Sequence, residues 1–147
     1  MKKQKTILVL ARIFMGLSAL SMLSVSMMAF GNPQKVMDLV RVELNNTDAF
    51  SSIRGVYGGV GLTLFIAIVY MAVKDVKRGL QFLSMLWGFY ALSRVLTILI
   101  EGSLGAFGTQ WLMTESVFFV IAMSLNLAMK PQEATTPMHL AAPGHTH

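Results

Sequence analysis

The chain has no cysteine, which excludes disulfides, thiolate nucleophiles, iron–sulfur ligation and covalently attached c-type haem. Charge is scarce as well. Only 13% of the 147 residues are Asp, Glu, Lys or Arg, against 54% hydrophobic, and the mean hydropathy of +0.62 lies outside the range of ordinary soluble domains. Histidine occurs only at His139, His145 and His147, so no apolar run contains an imidazole, and the abundant methionine reads as adaptable packing, not as a copper-binding set. There is no nucleotide-binding glycine loop, no zinc-ligand spacing and no Ser/His/Asp arrangement, and nothing calls for a cofactor or a metal. The net charge of +5 would suit nucleic acid, but the basic residues lie in short segments between apolar runs, not on one face among aromatics, so no nucleic-acid partner is expected.

What the chain has instead is four apolar runs, at residues 7–30, 53–73, 80–100 and 111–129, each about the twenty residues a helix needs to cross the hydrocarbon layer. The first follows Lys2, Lys3 and Lys5, as a signal peptide would, and Ala29-Phe30-Gly31 offers a weak cleavage site; the run is longer than a signal core, which favours a retained helix. Residues 31–52 are more polar, with Val36, Leu39, Val40 and Leu44 at helical spacing beside Lys35, Asp38, Arg41 and Glu43. This predicts a short amphipathic helix, begun at Asn32-Pro33, along the outer membrane boundary or as a lid on the bundle, with a solvated loop as the alternative.

Short connections make consecutive spans antiparallel neighbours. The expected fold is therefore all-α, a membrane-embedded antiparallel four-helix bundle over residues 1–130, followed by a Pro, Thr, Ala and His-containing tail at 131–147 read as disordered and cytoplasmic. Lys and Arg fall mostly at the N-terminus, in the 74–79 loop and at Lys130, against Lys35, Arg41 and Arg54 on the other side. The bias predicts both termini in the cytoplasm.

Arg54, Arg94, Glu101 and Glu115 fall in or at the edges of the spans. Charges in hydrocarbon are costly and turn inward to pair. All four fall in the outer third of the bilayer, and side chains on the third span lean away from the nearer water, so Arg94 needs a partner. Glu115 on the antiparallel fourth span is the best-placed carboxylate. Arg54 at a helix start and Glu101 at a helix end each oppose the local dipole, and pairing with each other would relieve both. Tyr57 and Tyr90 share faces with these residues, and Gly58, Gly59 and Gly61 permit close helix approach. The result would be an outward-facing polar pocket.

The Ser52 to Gly59 stretch, with its Arg-x-x-Tyr-Gly-Gly element, followed by Ser93-Arg94 and Thr114-Glu115-Ser116, resembles a family of small four-span bacterial membrane proteins catalogued as a domain of unknown function, over roughly residues 7–129. The resemblance implies a bacterial inner-membrane location and points to Arg54, Tyr57, Gly58, Gly59, Arg94 and Glu115. The chain also looks distantly like the DoxX group of four-helix membrane proteins, an analogy of fold, for which redox and quinone-linked roles have been suggested.

A structural or accessory membrane protein, surrounded by the lipid bilayer and self-associated or bound to a membrane-protein partner, is the first functional expectation. The alternative is a binding or transport module for a lipid head group, quinone or small anion. A third is a membrane enzyme using Glu115 as acid or base; no catalytic nucleophile or electrophile is identified.

Overall fold

The computed structural model describes residues 2–129; the tail at 131–147 lies outside them. Helix α1 (Lys2–Gly31) has 30 residues and is about 45 Å long, more than the roughly 30 Å of the hydrocarbon layer. Its buried residues Ile7, Ala11, Phe14, Met15, Ser18, Ala19, Ser26 and Ala29 recur three or four apart or at sums of these, which puts them on one stripe. Several are small, so neighbouring backbones approach closely.

Helix α2 (Pro33–Asp38) is shorter than the periodicity of Leu39, Val40 and Leu44 predicts. Its start agrees with expectation: Asn32 Oδ1 accepts from the backbone N–H of Lys35 at 3.4 Å, and Pro33 occupies the first turn. Beyond Leu39 the chain folds back. Arg41 adopts a left-handed conformation with φ 59°, Val42 N–H bonds to the Met37 carbonyl at 3.1 Å, and the Gln34 amide donates to the Val42 carbonyl at 2.9 Å while accepting from Leu44 N–H at 2.9 Å. Those backbone groups are thereby satisfied outside a helix, which removes the incentive to continue one. Val36 and Met37 still pack inward, against Ala29, Leu44 and Ile53.

The second span begins at α3 (Thr47–Ile53), N-capped by Asn46 Oδ1 accepting from Ala49 N–H at 2.8 Å. It passes through a π-helical turn over Arg54–Gly59 into α4 (Val60–Lys74). Asp75 then caps α5 (Val76–Glu101), accepting from Arg78 N–H at 3.1 Å. Gly102, at φ 101°, ends α5 in a conformation that glycine tolerates, and α6 (Ala106–Ala128) returns antiparallel to it.

These four long helices are all apolar enough to cross a membrane. Their outward surfaces agree: Leu99 is 74% and Leu127 77% exposed, values sensible for large aliphatic side chains only where lipid is the solvent. Helix α1 lies chiefly against α4 and α5 chiefly against α6. The main core joins the two pairs through Ala11, Met15, Ile68, Leu80, Leu83, Trp87 and Ala122.

Candidate functional site

Arg94 and Glu115 meet in a bidentate ion pair. Arg94 Nε donates to Glu115 Oε2 at 2.6 Å and Arg94 Nη2 to Oε1 at 2.8 Å. Helix geometry explains the meeting. Arg94 lies about 10 Å from the α2 end of α5 and Glu115 about 13 Å from the same end of α6. Side chains lean toward their own helix N-terminus, so on these antiparallel helices the guanidinium leans away from that end and the carboxylate toward it. The carboxylate is the deeper partner, with side-chain exposure of 3% against 25% for Arg94. Two parallel charge-assisted bonds satisfy Glu115 and leave Arg94 Nη1 free to donate elsewhere.

The pair stands in the wall of a cavity of about 250 Å³ at the α2 end of the bundle. Tyr57, Trp87, Tyr90, Phe107 and Trp111 line it together with aliphatic residues such as Met22, Val25 and Leu64, and Val36, Met37, Leu39 and Val40 from the α2 segment close its top. Trp87 is fixed at the bottom: its ring packs edge-on to Phe118 at 5.0 Å, and its Nε1–H donates to Ser18 Oγ at 3.3 Å. Phe107 and Trp111, one helical turn apart, stack edge-on at 6.1 Å. Val56 and Val60 line the cavity while being 60% and 53% exposed, so its mouth opens onto the apolar flank of the bundle.

The expected Arg54–Glu101 pairing does not form. Arg54 Nε donates instead to the carbonyl of Phe30 at 3.3 Å, in the last turn of α1, where the dipole favours a cation. That carbonyl end is nearer than α5, which meets α4 only weakly. Glu101 is exposed at the end of α5, outside the cavity lining and without an ion-pair partner among the described residues.

The three glycines differ. A Cβ on Gly58 would lie 2.9 Å from the Phe30 ring, and one on Gly61 would lie 3.1 Å from Ser26 Cβ, so both mark close helix approach. Gly59 has nothing within 4 Å and serves no such contact, contrary to expectation. Phe107 and Trp111 as cavity residues, and Ser18 and Ser26 as buried partners, do not stand out in the sequence; Ser26 Oγ donates to the Gly58 carbonyl at 2.7 Å. Serines three or four residues from small neighbours inside an apolar run were the available signal. Among the described residues no cluster of His, Cys, Asp and Glu could hold a metal ion.

Fold and site together define a multi-pass membrane protein in which a buried Arg–Glu pair adjoins an aromatic-lined cavity. The family described as a domain of unknown function (DUF4345) matches residues 10–132, and the chain belongs to that family. No curated protein and no solved structure matches it.

Proposed function

We propose that this protein sits in a bacterial inner membrane and binds an amphiphile, holding a compact, uncharged, carbonyl-bearing head or ring in the α2-end cavity while the apolar tail leaves into lipid. The carrying observation is the composition of the cavity wall, mostly apolar, with five aromatic side chains and one neutralised ion pair in it. A volume of about 250 Å³ falls just below the usual range for drug-sized ligands, which suits a single ring or head group. Arg94 Nη1 and the Tyr57 and Tyr90 hydroxyls are hydrogen-bond donors without protein acceptors among the described residues, so the complementary ligand group is an acceptor. Because Glu115 already cancels the charge of Arg94, a neutral acceptor such as a quinone or ester carbonyl fits better than a strongly anionic one. The mouth at Val56 and Val60 supplies an apolar exit for a tail.

Orientation belongs to the same reading. Lys5, Lys74, Lys77 and Arg78 gather at the end opposite α2, which supports a cytoplasmic placement of that end and an outer one for the cavity.

Both tryptophans of the chain, Trp87 and Trp111, line the cavity, so intrinsic fluorescence reports on it directly. Titration of the detergent-purified protein with a short-chain ubiquinone should give saturable quenching, weakened about fivefold by Tyr57→Phe or Tyr90→Phe, the loss of about one hydrogen bond. Quenching that stays linear, or that both variants leave unchanged, rules the proposal out.

A structural or accessory role is favoured by a different observation: Glu115 is 2% exposed and fully occupied by Arg94, as in pairs that fix register between spans. Recovery of a stable partner or homo-oligomer from gently solubilised membranes, with an unresponsive cavity, would select that reading.

A further inference from the structure

At the end opposite α2 lies a second cavity, of about 310 Å³, formed by α1, the end of α4, the start of α5 and the end of α6. Its lining includes four cations, Lys5, Arg12, Lys74 and Lys77, and no carboxylate. The nearest acid in sequence, Asp75, is engaged on its own helix: it caps Arg78 N–H and its Oδ2 lies 3.2 Å from Arg78 Nε. Among the described residues, no Asp or Glu lies in ion-pair range of any of the four.

Two of these cations have been fixed by helix ends. Lys77 Nζ donates to the carbonyls of Asn126 and Met129, at 2.5 and 2.7 Å, and Arg12 Nε donates to the Ala72 carbonyl at 3.2 Å. With Gln4 Nε2 donating to the Ala128 carbonyl at 3.3 Å, several carbonyls in the last turns of α4 and α6 are capped. The capped carbonyls repel an incoming anion less than bare ones would. Each fixed cation retains unused N–H donors: one on the Lys77 ammonium and both terminal nitrogens of the Arg12 guanidinium. Lys5 and Lys74 make no side-chain hydrogen bond among the described residues and are exposed. The arrangement is a part-buried Lys77 ammonium with the exposed Arg12, Lys5 and Lys74 around it, bordering a space large enough for a tetrahedral oxyanion and its substituent.

We infer that this cavity is a binding site for a phosphate group, the shared chemistry of an anionic phospholipid head group and a free phosphate. Its place at the ends of the spans is the depth of lipid phosphates, and Leu8, Val73 and Val76 in the lining offer apolar surface beside the cations. The site is separate from the α2-end cavity, and its ligand differs in sign: net positive walls here, a cancelled pair there.

The test uses delipidated full-length protein in neutral detergent, with binding measured by native mass spectrometry and by thermal shift. The probes are dioleoyl phosphatidylglycerol, dioleoyl phosphatidylcholine and inorganic phosphate. Lys5→Gln with Lys74→Gln removes the two lining lysines that make no hydrogen bond among the described residues; Lys2→Gln with Lys3→Gln removes the same charge outside the lining and is the control. Phosphatidylglycerol should bind in preference to phosphatidylcholine and lose about twenty-five-fold in affinity in the first double variant, two contacts at about fivefold each, while the control loses little. Circular dichroism should find both double variants folded, since neither removes a fixed contact. Competition by millimolar inorganic phosphate with the same variant dependence assigns the site to the free anion, and its failure to compete assigns it to the lipid. Equal losses in the two double variants, or no preference for the anionic lipid, would overturn the inference by reducing it to general surface charge.

Discussion

Removing one member of the Arg94–Glu115 pair should cost more from one side than from the other. Arg94→Gln strands a carboxylate whose side chain is 3% exposed, whereas Glu115→Gln strands a guanidinium that is 25% exposed. Breaking a buried pair costs about 3–5 kcal/mol when the remaining charge has no water, which sets the expected loss for Arg94→Gln near the lower end of that range. Arg94 can turn part of its guanidinium toward the cavity and its mouth, so Glu115→Gln should cost only about 1–2 kcal/mol, close to the loss of charge-assisted hydrogen bonds. The double variant leaves two neutral amides able to bond to each other, and should lie within about 1–2 kcal/mol of the native protein. The cycle thus predicts a coupling energy of about 2 kcal/mol or more. Reversible unfolding in mixed detergent micelles, followed by circular dichroism, measures all four corners. Additivity within about 0.5 kcal/mol would refute the reasoning, because independent effects mean that the groups do not share their free energy. Equal single losses would refute the narrower claim that differential exposure sets the cost.

Other perturbations test separate parts of the structure. Ser18→Ala removes the acceptor of the buried Trp87 indole N–H and should destabilise by about 1–2 kcal/mol in the same unfolding assay, with a shift in tryptophan emission. Gly58→Val drives methyl groups into the Phe30 ring and should cost about 1–3 kcal/mol, whereas Gly59→Ala meets nothing and should be neutral or slightly stabilising. Arg54→Gln should lose about 0.3–1 kcal/mol, the value of a cation at the α1 carboxyl end, and Glu101→Gln should alter stability by less than about 0.5 kcal/mol; matched, coupled losses would restore the pairing that the structure replaces. Because the chain has no cysteine, Asn46→Cys gives a single thiol, which a membrane-impermeant maleimide should label in intact spheroplasts; protection there, with labelling only after lysis, would reverse the proposed orientation.

The spans were legible because hydropathy and backbone hydrogen bonding act in the same direction in lipid. The helices nevertheless overrun the apolar runs, most clearly at Lys2 and Thr47, since an intact helix satisfies its backbone in water as readily as in hydrocarbon. Arg94 and Glu115 were legible as a pair because both lie deep and few partners exist at that depth. Arg54 and Glu101 were not, because residues at helix ends can choose backbone carbonyls or water, and a sequence does not display the carbonyl of Phe30. Arg12 shows the complementary failure. It stands inside the first apolar run, yet its role depends on the end of α4, sixty residues away. The helical period of Leu39, Val40 and Leu44 was real as a pattern of apolar contact, since Leu39 and Val40 do face the cavity; Gln34 and Arg41 decided that a turn would deliver it.

The pairing of α1 with α4 and α5 with α6 leaves a looser seam between the pairs, and each cavity lies at one end of it. Between them the seam is filled. Met15 and Leu80 are fully buried, Trp87 forms the floor of the α2-end cavity at 2% exposure, and Gly79 is packed so closely that a Cβ there would run into the Met15 side chain. Close-packed apolar groups of this kind exclude water and ions alike. A solute entering from either end therefore meets the same plug, and passage would require Met15 and Trp87 to leave rotamers held by the core and by Ser18. The filled seam agrees better with the two proposed binding places being separate than with a path that joins them.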